Sequence, residues 1–376
     1  MNSNSSDRPS VRMICSENSW IEGDAVRQLQ RASALEGIVH CVGLPDMHPG
    51  NCGPVGAAFL STGIIYPALV GNDVGCGVGL FSTRMKRKKI KKDRWIKRLK
   101  DFDQPFEGDL DKWRLRFDLD DCPDDISLGT IGGGNHFAEL QSVEKIFDHS
   151  SFEALGLDKE YLVILVHSGS RSVGDALFRK HAVRFGAKGL DADSIEAKRY
   201  LAVHDKALKW AACNRALIAH RFGASINTKC TPVIDVCHNS IMGKSDGNET
   251  LWLHRKGAAA SESGFAVVPG SRGSLSYLVK AKKDQEKNLW SLPHGAGRKW
   301  RRGSCKEKLR GRYPAKSLTQ TAIGSHVICD DKELLYEEAP QAYKNIDAVI
   351  ADLIGADLVE IVATLKPIIT YKMRKS

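Results

Sequence analysis

No stretch of eighteen apolar residues occurs anywhere in the 376-residue chain, which argues against a membrane-spanning helix. The segment Met1-Asn2-Ser3-Asn4-Ser5-Ser6-Asp7-Arg8 lacks the apolar core of a secretory signal. A soluble, cytoplasmic protein with no membrane partner is expected. The ten cysteines contain no Cys-x-x-Cys pair, so the spacing of a zinc-finger hairpin is missing. Cys15, Cys41, Cys213 and Cys230 read as reduced thiols, packed or at the surface. There is also no Pro/Ser/Gly linker tract and no repeat period. One domain spanning residues 1–376 is expected, with 1–18 as a flexible leader.

What the chain does have is positive charge, +10 net with a pI near 9.0. Lys and Arg gain free energy on phosphates by releasing condensed counterions, so a polyanionic partner is favoured. Much of the charge lies in two runs, Arg84 to Arg98 and Arg298-Lys299-Trp300-Arg301-Arg302, the second extending toward residue 316. A solvated helix face is the plainer reading of either run.

Helical spacing over Trp20–His40 puts Val26, Leu29 and then Ala32 or Leu35 on one side. From Val42 to Thr83 the text turns to Gly, Pro and β-branched residues, the pattern of strands and tight loops. An Asp-rich stretch, Asp101–Asp125, leads into the glycine loop Leu128–Phe137. Tyr161–Val166 is an apolar run of strand length that ends in His167-Ser168-Gly169-Ser170-Arg171. Pro232–Val236 before Cys237-His238-Asn239, and Gly264–Val268 before Pro269-Gly270-Ser271, repeat that design. Leu201–Phe222 reads as a helix whose Ala/Leu-rich face is interrupted by Asn214-Arg215. The class is therefore α+β.

His136, His167, His238 and His294 all follow strands or glycine loops. With Asp73 and Cys76, three residues apart among glycines, they form a candidate ligand set drawn from distant parts of the chain. Mixed oxygen, nitrogen and sulfur donors suit Mn²⁺ or Zn²⁺ better than Mg²⁺. Gly75-x-Gly77-x-Gly79 lacks both the dinucleotide-binding pattern and the Walker lysine, so it is a weak phosphate loop.

From Ile21-Glu22-Gly23 to Lys372 the chain resembles the RtcB family of RNA ligases. The resemblance rests on ordered blocks: Leu44–Gly50, Gly71–Gly77, Gly132–Phe137, His167–Arg171, His238-Asn239, His254–Gly257, Pro269–Ser271, His294–Arg298 and Ala339–Lys344. It implies a single RtcB-like α+β domain whose sheets surround a central metal and nucleotide site, with helices flanking. It implies two Mn²⁺ ions, with Asp73 and Cys76 touching both, His136 completing one site, and His167 with His238 the other. His294 would become guanylylated by GTP, and the guanylate would pass to an RNA 3′-phosphate that a 5′-hydroxyl then attacks, a 2′,3′-cyclic phosphate being opened first. Asn135, Phe137, Glu139, His238, Asn239, Ser271, Gly295, Gly297, Tyr343 and Lys372 would surround the nucleotide, while Arg171, Lys256 and Arg298 would contact triphosphate or RNA.

A neutral imidazole is the form that attacks phosphorus, and histidine is mostly neutral at pH 7 without tuning. Two cations would neutralise charge on the transferred group. Met47 and Arg272 depart from the family pattern, Arg272 by adding a cation beside the nucleotide pocket. The short length resembles a compact bacterial branch with a release-factor-like partner, which favours RNA repair over tRNA splicing. A cyclic phosphodiesterase without ligation, and a non-catalytic RNA-binding protein, are the alternative readings.

Overall fold

The structure, a computed structural model, describes residues 9–17, 19–247 and 249–374. Two sheets dominate it. The larger has the order Phe265–Val268, Ser276–Ala281, Val359–Met373, Phe137–Ile146, Tyr161–Ser168, Gly77–Lys86, Cys230–Cys237, with His326–Cys329 added in parallel to Val359–Met373. The smaller runs Ser10–Met13, Ile38–His48, Val55–Thr62, Glu249–Lys256, Asn239–Asp246. The α+β class is as the sequence predicts.

The apolar strands read as continuous runs because both of their faces are covered. Val163 and Leu165 point into the core shared by the two sheets, together with Val42, Leu44, Ala58, Leu60 and Leu253 of the smaller sheet. Their neighbours Leu162, Ile164 and Val166 point the other way, onto Ala216, Ile218 and Phe222 of the helix Ile195–Ser225. The outer face of the smaller sheet is covered by Ala25, Leu29 and Ala32 of the helix Gly23–Ser33, packed on Cys41, Ala57 and Phe59. Successive side chains alternate between faces with period two, so each strand feeds two cores.

Three sequence expectations change. The helix expected over Trp20–His40 ends at Ser33, and a strand starts at Ile38 after Gly37, which turns the chain at φ +71°. Residues 1–8 and 18 lie outside the described residues, but Ser10–Met13, expected within a flexible leader, is a strand paired in parallel with His40–Gly43. The third is the helix read over Leu201–Phe222, which is longer, Ile195–Ser225, with Asn214 and Arg215 buried in its packed face. All ten cysteines are free thiols. No helix among the described residues is long and apolar enough to cross a membrane.

Candidate metal and nucleotide site

Strand register gathers the site. Gly77 pairs with Ser168 on one side and Cys237 on the other, while Phe137 pairs with His167 and Tyr371 with Ala138. Cys76, His136, His167, His238 and Lys372 therefore leave neighbouring strands at the same end of the larger sheet. In the smaller sheet Asn239 pairs with Lys256, and Lys256 with Ala57, which brings a second row of motifs to that end. Asp73, Asn135, Asn239, Lys256, Ser271 and His294 all line one cavity of about 1270 Å³.

Asp73 Oδ2 lies 2.9 Å from His136 Nε2, which lies 3.3 Å from Cys76 Sγ. Cys76 Sγ is 3.2 Å from His167 Nε2, itself 3.3 Å from His238 Nε2. Donors that share a cation at about 2.0–2.3 Å stand roughly 3–3.5 Å apart, so this chain of five donors has the spacing of a metal-binding set. His167 Nδ1 donates to the Asn135 carbonyl at 3.2 Å, leaving its Nε2 lone pair aimed at Cys76 and His238. Burial, followed by the charge of Asp73, pushes the Cys76 thiol well above its ordinary pKa. A cation is what would convert such a thiol to thiolate. Burial also works to raise the Asp73 carboxyl, but His136 beside it holds the group down at about 2. The mixed oxygen, nitrogen and sulfur donors present thus fit a divalent transition metal.

Small residues admit this crowding. A Cβ on Gly169 would lie 2.0 Å from Asp73 Oδ1, and one on Gly297, at φ +71°, would lie 2.1 Å from the Asp46 carbonyl oxygen. Asn239 steadies the cluster from behind, donating from Nδ2 to the Asp73 carbonyl at 2.9 Å and accepting from Gly257 N–H at 2.7 Å.

His294 stands beside this cluster, its ring centroid 5.0 Å from that of His238. Its Nδ1–H donates to Asp46 Oδ2 at 2.6 Å, and the same oxygen accepts the His294 backbone N–H at 3.2 Å. Asp46 is fully buried. The pairing fixes the tautomer, so Nε2 carries the lone pair. The loop bearing Asp46 is tied down by Lys344, whose ammonium donates to the carbonyls of Pro45 and Met47 at 3.0 and 2.7 Å while its backbone N–H donates to Gly297 O. Burial lowers the Lys344 ammonium to about 8.

The expected nucleotide residues surround the cavity beyond the cluster. Phe137 meets the His167 ring edge-on. Glu139 is buried against Thr370 and Gln141, and burial raises its carboxyl to about 7. Lys372 is only 3% exposed, and its ammonium donates to the Gly134 carbonyl at 2.7 Å. Ser271 Oγ sits 3.0 Å from Ser274 Oγ, and Gly295 and Gly297 form the wall next to His294. Tyr343 donates its hydroxyl to Glu338.

The three expected phosphate contacts differ in availability. Lys256 lines the cavity with its ammonium on the Cys52 carbonyl at 2.7 Å, and burial lowers it to about 8. Arg171 also lines the cavity, with a strained φ of 55° and a buried Nε that has no partner among the described residues. Arg298 is committed elsewhere: its donors reach Trp300 O, Glu338 Oε1, Tyr343 OH, Cys305 Sγ and Glu337 O. A guanidinium has five N–H donors, so Arg298 holds the wall of the pocket and has none left for a phosphate. Arg272, the extra cation, is buried and donates to Leu335 O from inside the same wall.

Sequence reasoning assigned no role to Asp46, Lys344, Glu338 or Arg215. Glu338 is a buried carboxylate shared by Arg298 at 3.0 Å, Lys372 at 3.6 Å and Arg302 at 3.8 Å. Arg215, 1% exposed, pairs with Asp235 through Nε at 2.5 Å and NH2 at 2.8 Å, and its NH1 donates to the carbonyls of Gly75 and Ser168 at 2.7 and 2.9 Å. It therefore braces the two strand ends that carry Cys76 and His167. The one signal available was a charge inside an Ala/Leu-rich helix.

A family model described as "tRNA-splicing ligase RtcB" matches residues 28–109 and 123–373. The chain is 46% identical over 362 residues to "RNA-splicing ligase RtcB2" of Escherichia coli, covering 96% of this chain and 95% of that protein. It is 29% identical to "tRNA-splicing ligase RtcB" of Archaeoglobus fulgidus, covering 93% of this chain and 91% of the relative. A third relative, "tRNA-splicing ligase RtcB" of Thermococcus kodakarensis, is 28% identical with 91% and 89% covered.

Proposed function

The chain belongs to the RtcB family of RNA ligases, and from that premise we propose that it joins an RNA 3′-phosphate or 2′,3′-cyclic phosphate end to a 5′-hydroxyl end by way of guanylylated His294. The observation that carries this reading is the apposition of His294, its Nδ1 tied to Asp46 and its Nε2 free, with the donor cluster of Asp73, Cys76, His136, His167 and His238 in one cavity.

His294 Nε2 attacks the α-phosphorus of GTP, so an N–P bond forms as the bond to the pyrophosphate oxygen breaks. Asp46 stabilises the positive charge that develops on the imidazole, in the manner of a carboxylate orienting a catalytic histidine. The guanylate then passes to the RNA 3′-phosphate, regenerating neutral His294. The 5′-hydroxyl of the second end attacks that activated phosphate and releases GMP. Two Mn²⁺ ions held by Asp73, Cys76, His136, His167 and His238 would offset negative charge on the phosphates and orient the attacking and leaving oxygens.

Asn135, Phe137, Glu139, Ser271, Tyr343 and Lys372 take the guanosine side of the cavity. Lys256 and Arg171 face the phosphates, and Arg298 pairs with Glu338, which also holds Lys372. The compact form of the chain favours RNA repair as the setting.

Two synthetic RNA pieces, one ending in a 2′,3′-cyclic phosphate and the other beginning with a 5′-hydroxyl, test the reading. With GTP and Mn²⁺ the expected product is the joined strand, and omission of either abolishes it. Opening of the cyclic phosphate without GTP and without joining would instead support a phosphodiesterase.

A further inference from the structure

The run Arg84–Arg98 holds ten Lys or Arg against one Asp, and the reaction at His294 uses none of them. The strand Gly77–Lys86 begins beside Cys76 and ends at the far edge of the sheet, nine residue steps away. At about 3.3 Å per residue that is ~30 Å. A second cavity, about 520 Å³, opens at this far end, lined by Arg84, Lys86, Lys89 and Lys229 with Asp158. The chain then returns: Trp95 and Leu99, in and just past the helix Lys92–Arg98, pack into the core beside Phe102 and Tyr371 at the catalytic end.

The returning segment meets the catalytic cavity through a short relay. Lys92 donates to the Gly324 carbonyl at 2.6 Å, and the next residue, Ser325, donates to the carbonyl of Arg272, which lines that cavity. The basic segment is thus linked, through Gly324 and Ser325, to the wall of the catalytic cavity. Lys86 pairs with Glu160, and Arg87 lies 4.0 Å from Glu144. Lys88, Lys89, Lys91, Arg94 and Lys97 are exposed, and none has an acidic partner among the described residues.

We propose that this band is the docking surface for the body of the RNA whose ends react at His294, with a backbone phosphate seated in the second cavity. The proposal rests on the RNA-ligase reading. Unpaired surface lysines in a row match a polyphosphate chain, and ~30 Å corresponds to roughly nine phosphates along one strand of a duplex. A membrane surface would call for apolar anchors, and a protein interface for aromatic ones. Here Trp95 is turned into the core, and Ile90, at 37% exposure, is the one large exposed apolar side chain of the run.

The test combines Lys88→Glu, Lys89→Glu and Lys91→Glu in the full chain, with the same three positions as Gln in a second variant. Joining is measured on a structured RNA of some twenty or more base pairs and on ends only four or five nucleotides long. KM for the structured RNA rises tenfold or more with Glu and less with Gln, while kcat and the KM for short ends hold. The slope of log affinity against log salt falls by about 2, since each lost phosphate contact removes ~0.7–0.9. Equal effects on long and short RNA, or an unchanged salt slope in both variants, would overturn the proposal. Guanylylation of His294 by GTP alone, which needs no RNA, stays at the wild-type rate; its failure in the wild-type protein would strike the ligase reading instead.

Discussion

Replacing Arg215 by Met keeps the length of the side chain but deletes a buried charge and the bonds it donates. Asp235, whose side chain is 31% exposed, can turn to water when its partner goes. The carbonyls of Gly75 and Ser168 cannot, because both face the buried guanidinium. An unsatisfied buried acceptor costs about 1–3 kcal/mol, so the two left by Arg215→Met cost roughly 2–6 kcal/mol. With an unfolding entropy of about 2.1 cal/mol/K per residue, ~0.8 kcal/mol/K for this chain, the midpoint falls by about 3–8 °C. The two carbonyls belong to the residues next to Cys76 and His167, so metal affinity should fall as well, by the 10–100-fold typical of a lost supporting contact. Thermal melts with and without Mn²⁺, together with metal titration, measure both. A midpoint within 1 °C of wild type and an unchanged metal affinity would refute the assignment of Arg215 as a brace for the ligand strands.

Asp46→Ala removes the acceptor that sets the His294 tautomer. The rate of nucleotide transfer to His294 should drop by about 10²–10⁴ while GTP binding, followed by equilibrium titration, changes little; equal loss of binding and rate would point to a collapsed loop instead. Glu139 gives a pH signature. Its folded pKa, about 7, lies above its unfolded value, so the folded state binds the extra proton and stability declines as pH rises from roughly 4.5 to 7. Glu139→Gln should flatten that decline in urea titrations across the window, and an unaltered slope would contradict the burial-driven shift. Truncating Lys344 to Met frees the Asp46 loop, and a tenfold or larger fall in kcat with KM for GTP held within about twofold is expected. A matching loss in both parameters would make Lys344 a general support of the fold.

The clustering of Cys76, His136, His167 and His238 was legible because each motif ends an apolar run or a glycine loop, and the register then brings those ends together. Tyr161–Val166 before His167 and Pro232–Val236 before His238 have this design. The helix boundary at Ser33 was missed because the apolar spacing carries on through Leu35, and the turn depends on the conformation of Gly37. Asp46, Glu338 and Lys344 stayed silent for a different reason. Their roles arise from contacts made across long separations, 248 residues for Asp46 with His294 and 299 for Lys344 with Pro45. No local pattern encodes such a pairing. Arg298 illustrates the converse: its place in a motif suggested a phosphate clamp, and only the side-chain contacts reveal that its donors are spent on Glu338 and its neighbours.

The covalent state of His294 bears most directly on the central claim. Incubation with Mn²⁺ and GTP labelled at the α-phosphorus, followed by denaturing electrophoresis and peptide mapping, should give an acid-labile guanylate on His294 that is absent from His294→Ala. A wild-type protein that takes up no label, or label that persists in His294→Ala, would contradict the account.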